Sequence, residues 1–168
     1  MKIGIDARPL QLSQQFQGIG FYSRHLIEAL SRIEGEEELV LFHRPGWSPD
    51  DMRLGTARRV LSFPIRRPFP EGRLSFLWDQ FLTPIDVVKG KVALFHSLMI
   101  NNLSFFCPSP SVLSLLDTIP LIFSDEYMKT GLKIRTLYRF AKRCDAVITI
   151  SKHSKEDIVR LLGIPPER

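Results

Sequence analysis

Residues Lys2–Ile33 read KIGIDARPLQLSQQFQGIGFYSRHLIEALSRI, and the change of period inside this stretch decides the fold. Ile3-Gly4-Ile5 is apolar without alternation and is stopped by Asp6 and Pro9, the pattern of a buried parallel strand. A glutamine-rich loop follows. After Gly18-Ile19-Gly20 the apolar residues Ile19, Tyr22, Leu26, Leu30 and Ile33 recur at helical spacing, with Ser23, Arg24, Glu28 and Arg32 between them, which predicts an amphipathic helix with one face for a sheet. A strand, loop and helix in this order place the loop at the carboxyl edge of a sheet, where open α/β folds bind ligands. Gly18 and Gly20 offer no side-chain cap, so the first N–H groups of the helix are open to an anion such as a phosphate. A plain tight turn explains the same glycines.

Two nucleotide motifs fail. A dinucleotide fingerprint needs a third glycine where this chain has Ser23, and an acidic residue that Leu39 to Phe42 do not supply. No Gly-Lys-Ser or Gly-Lys-Thr occurs, so a P-loop is also excluded.

Working outward, Leu39–Phe42, Val60–Phe63, Val92–Phe95, Val112–Leu116 and Ala146–Ile150 read as further buried strands. Leu74, Leu77, Trp78, Phe81, Leu82 and Ile85 mark a helix whose apolar face is expected to be core, with Pro84 ending or kinking it. Ser124 is expected to cap a segment before Gly131, and Leu137, Phe140, Ala141 and Cys144 to form the inner face of a basic helix. A last helix is expected to start at Ser154 and stop at Gly163 before Pro165-Pro166. Strands alternating with helices predict a doubly wound, mainly parallel α/β sheet, with Asp6, Gly18–Gly20, His96, Asp117 and Ser151–Ser154 on one edge.

Composition narrows the function. A chain of 168 residues fits one domain. Its two cysteines, Cys107 and Cys144, match no zinc spacing and suggest a reducing compartment, so the cytosol and no metal are expected. No secretory leader or membrane-spanning run is read from the sequence. The net charge of +5 and pI near 9.5 raise nucleic acid and anionic lipid as partners. No nucleic-acid motif or alternating aromatic platform accompanies the basic residues, so nucleic acid is not expected. The helix carrying Lys129, Lys133, Arg135, Arg139, Lys142 and Arg143 is either a solvated face or a surface for acidic lipid.

Five motifs, in this order, resemble one family. They are Ile3–Leu10, Gly18-Ile19-Gly20, Leu116–Leu121, Asp145–Ser154 and Leu161–Arg168. Together they look like the amino-terminal half of the family-four (group 1) retaining glycosyltransferases, which have two Rossmann-like domains. The resemblance implies an acceptor-side domain whose missing partner domain holds a nucleotide-sugar donor. It implies that Gly18, Ile19 and Gly20 face the donor phosphates, that His96 and Asp117 lie by the sugar, and that Ser151, His153 and Ser154 lie at the cleft floor. Arg8 and Thr118 complete the substrate-binding set, and Asp117 is the residue assigned to catalysis; no cofactor is implied. Where many relatives have a histidine before the aspartate, this chain has Leu116, which cannot make that histidine's polar contact. The implied partners are the donor and a glycan or lipid-linked acceptor, with a possible peripheral contact at the inner membrane face. The expectation is a half enzyme, inactive alone; the competing expectation is a stand-alone binding module for a phosphorylated or glycosylated ligand.

Overall fold

The computed structural model describes residues 1–11, 17–65, 75–123 and 132–168. Six strands, β1 (Lys2–Asp6), β2 (Glu38–His43), β3 (Val60–Pro64), β4 (Leu94–Ser97), β5 (Ser111–Ser114) and β6 (Ala146–Ile148), form one sheet in the order β3-β2-β1-β4-β5-β6. Every pairing is parallel. Among the described residues the α-helices are α1 (Gly18–Arg32), α2 (Ser75–Gly90), α3 (Ile119–Ile122), α4 (Leu132–Ala141) and α5 (Lys152–Leu162). This is the Rossmann-like α/β arrangement, and its order reverses between β1 and β4. The expected basic-helix residue Lys129, the cap Ser124 and Gly131 lie outside the described residues, as does Leu74.

Alternation along the central strands divides the core. Leu39 and Leu41 join Ile5 and Ile27 under α1, while Val40 and Phe42 face the other way, against Phe95 and Val87 of α2. Gly4 is required by that second layer. A Cβ there would stand 2.9 Å from the Phe42 ring and 3.0 Å from the Phe95 ring, closer than packed carbon atoms allow. A third cluster, with Leu113, Leu115, Leu137 and Ile158, closes the β5–β6 end under α4 and α5.

Three local expectations are corrected. The last helix begins at Lys152 rather than Ser154, because the Ser151 hydroxyl accepts a hydrogen bond from the Ser154 N–H at 3.0 Å and caps it. Its stop is where expected, at Gly163 with φ +62. Helix α2 runs through Pro84 to Gly90, and of its apolar stripe Leu77, Phe81 and Ile85 are exposed and Trp78 and Leu82 half-buried, whereas Gln80, Thr83 and Val87 are buried. The physical reason is polar demand from a neighbouring loop. The Gln80 carboxamide donates to the Leu103 carbonyl at 3.0 Å and accepts from the Phe105 N–H at 2.8 Å, bonds that a leucine at this position would leave unmade.

Helix α1 also buries polar residues. Glu28 accepts from the Arg53 N–H at 3.0 Å and Ser31 from the Gly55 N–H at 2.7 Å, so the face read as outward fastens the β2–β3 connection.

Candidate functional site

The carboxyl ends of β1 and β4 meet at the reversal point, and two polar constructions stand there. In the first, Asp6 ends β1 fully buried. Its carboxylate accepts from the Arg8 N–H at 3.1 Å and from two guanidinium nitrogens at 2.8 Å each. A third nitrogen of Arg8 lies 2.9 Å from Asp79 of α2. Burial alone would disfavour the Arg8 charge, but Asp6 and then Asp79 outweigh it and hold the pKa above the ordinary arginine value. Arg8, expected as a substrate contact, is 3% exposed, and its guanidinium donates to Asp6 and to the Asn102 carbonyl as well as pairing with Asp79. It holds α2 against the first βα loop.

The second construction contains His96. It stands inside β4 rather than in the loop beyond, buried, with Nε2 2.9 Å from the Ser114 hydroxyl of β5. That hydroxyl is also 2.9 Å from the Tyr22 hydroxyl of α1. Desolvation lowers the His96 pKa to about 4, against an opposing pull from Asp6. The imidazole is therefore neutral at pH near 7 and can donate or accept one hydrogen bond at each nitrogen. Tyr22 and Ser114 were missed in the sequence. Tyr22 falls on the apolar stripe of α1, but Ser114 does leave a signal, as the single polar residue inside the run Val112–Leu116.

The remaining residues lie beyond the strand ends. Asp117 is exposed, and one of its oxygens accepts from the Ile119 N–H at 3.1 Å, holding the turn into α3. Its other oxygen has no hydrogen bond to the described residues. Asp117 also affects Tyr138, whose hydroxyl is pushed up to about 12 first by burial and then by this carboxylate. Thr118 is buried at the start of α3.

Helix α1 has Gln17 at its N-cap with no side-chain cap bond, and the Gly20 N–H turns back to the Gln17 carbonyl at 3.0 Å. Gly18 is exposed and a Cβ there would meet open space, whereas Gly20 is buried; Ile19 is half-buried between them. At the start of α5, Ser151 and Ser154 are engaged with each other, and His153 is exposed with Nε2 3.5 Å from Asp157. Among the described residues no group of three potential metal-ligating side chains occurs.

This edge thus combines an open helix N-terminus, a neutral imidazole and a solvent-facing carboxylate. Such a set can bind an anionic leaving group and hydroxyl-rich ligands. The sequence matches the family described as Glycosyltransferase Family 4 over residues 16–168. No curated protein matches the chain closely enough to lend it a relative's activity.

Proposed function

We propose, from the premise that the chain belongs to Glycosyltransferase Family 4, that it is the acceptor-side domain of a two-domain sugar transferase. In this reading a nucleotide-sugar donor is held mainly by a second domain, and a glycan or lipid-linked acceptor lies along the carboxyl edge of this sheet. The family match over most of the chain carries the reading. Gly18, Ile19 and Gly20 at the start of α1 meet the donor diphosphate from one side. His96, held neutral, orients sugar hydroxyls without adding charge. Asp117 presents the oxygen not held by the Ile119 N–H to the reacting sugar, while Thr118, Ser151, His153 and Ser154 line the approach. The work takes place in the cytosol, on the inner membrane face where the acceptor is lipid-linked, with exposed Arg135, Arg139, Lys142 and Arg143 of α4 and its carboxyl end near anionic headgroups.

The reaction needs stabilisation of charge developing on the leaving diphosphate, the largest expected catalytic contribution. One helix N-terminus contributes roughly 0.3–1 kcal/mol, and up to about 2 where partly buried, so this domain alone does not suffice. The test is the reading frame downstream of Arg168, followed by transfer assays on the longer protein. A second α/β domain with a glutamate-rich donor motif, and sugar transfer that requires both domains, are the expected results. A stop codon at that point, with ligand binding and no transfer, would replace this reading with a binding module.

A further inference from the structure

Three side chains from three elements meet under the carboxyl edge of the sheet. His96 and Ser114 share one face, because His96 stands opposite Val112 in the register and Ser114 follows two residues later. Ile5 of β1 flanks His96 on its other side. Tyr22 comes to them from the inner face of α1. His96 and Ser114 are 6% and 2% exposed, and Tyr22 is half-buried. The Tyr22 hydroxyl is 2.9 Å from Ser114 Oγ, which is itself 2.9 Å from His96 Nε2. Two hydrogen bonds therefore run through one serine hydroxyl.

That hydroxyl has one proton to give. It can donate to His96, with Tyr22 donating to the serine oxygen, or to Tyr22, with the imidazole donating to the serine oxygen. Chemistry favours the first direction. A phenol is a stronger hydrogen-bond donor than an aliphatic hydroxyl, and a neutral imidazole nitrogen is a stronger acceptor than either oxygen. A chain that runs from the strongest donor to the strongest acceptor polarises each bond in turn. Burial keeps the ring in the neutral form that such an acceptor requires. Nε2 then bears a lone pair, and the single ring proton sits on the other nitrogen.

We infer that Tyr22 and Ser114 are positioning residues that hold the His96 proton on Nδ1, so that the imidazole presents an N–H donor to a ligand oxygen. Nδ1 has no hydrogen-bond partner among the described residues. The ligand's role rests on the sugar-transfer reading, whereas the placement of the proton does not. In that reading the same chain ties α1, which meets the donor phosphates, to β5, which leads into Asp117.

Nitrogen-15 NMR of the 168-residue chain with labelled histidine, at pH near 7, tests it, since protonated and lone-pair ring nitrogens resonate far apart. The chain has four histidines, and the His96 signals are those lost in His96→Gln. His43 serves as an internal reference: its Nδ1 is 2.8 Å from the Arg44 carbonyl, which can only accept, so that nitrogen bears a proton. His96 should also show a protonated Nδ1, with Nε2 bare. Tyr22→Phe and Ser114→Ala should each raise the share of the Nε2–H form, which a solvated histidine favours. An Nε2–H ring in the unaltered chain overturns the inference, and that measurement depends on no variant. A tautomer unmoved by both substitutions overturns it as well. In the longer protein, Tyr22→Phe should lower transfer about tenfold, the order of one neutral hydrogen bond. Unchanged transfer beside a shifted tautomer would uphold the proton placement and overturn the role of His96 towards the sugar.

Discussion

Replacing His96 by glutamine should change how stability depends on pH more than stability itself near neutrality. His96 ionises at about 4 in the folded chain because burial penalises its charged form, and at about 6.5 when unfolded. The folded pKa is the lower one, so the unfolded chain binds more protons between these values. The stabilisation is fully present above pH about 6.5 and is lost as the pH falls towards about 4. Between pH near 7 and pH near 4 this one residue should remove about 3 kcal/mol of stability. Glutamine has no ionisation in this range, and its amide can still reach the Ser114 hydroxyl that His96 meets at 2.9 Å. Urea denaturation of both proteins across this range gives the difference directly, because carboxylates common to both cancel. From pH near 7 to pH near 4 the unaltered chain should lose about 3 kcal/mol relative to the glutamine variant. Parallel stability curves would refute the reasoning and mean that His96 is solvated or charged in the folded state.

Arg8→Met should destabilise the chain by about 3–5 kcal/mol in the same assay, because it leaves the buried Asp6 carboxylate without its partner; a loss below about 1 kcal/mol would show that water reaches Asp6. In the longer two-domain protein, Asp117→Asn should lower turnover with little change in melting temperature, since an asparagine oxygen can keep the bond to the Ile119 N–H; matched losses of both would assign Asp117 to the turn alone. Ser151→Ala should cost about 1 kcal/mol through loss of the α5 cap, read as a shift in urea midpoint with unchanged slope.

The sheet was legible because parallel strands buried on both faces must be short apolar runs, and Ile3-Gly4-Ile5 and Leu39–Phe42 have no other stable use. The stop at Gly163 was legible for a similar reason, since its positive φ favours glycine. Periodicity did not reveal which way α2 faces. It identifies an apolar stripe, but the orientation is set by tertiary partners: Gln80 serves a loop 23 to 25 residues away and Asp79 serves Arg8. The burial of Arg8 was hidden for the same cause. An arginine at a strand's carboxyl end reads as a ligand contact until both of its carboxylate partners are known, and one of them lies far along the chain. His96 and Asp117 stand near the strand ends where the alternation placed them, but the burial that neutralises His96 depends on the neighbouring strand and helix, which no local pattern contains.

On the proposed function, this domain holds one side of a divided site. Calorimetric titration of the 168-residue chain with UDP- and GDP-sugars is the test. A helix N-terminus contributing about 1–2 kcal/mol falls short of the roughly 4 kcal/mol of a millimolar constant, so binding should be millimolar or weaker and no sugar should be released. Micromolar binding, or sugar release by this chain alone, would contradict the claim and mean that the edge around Gly18, His96 and Asp117 is a complete site.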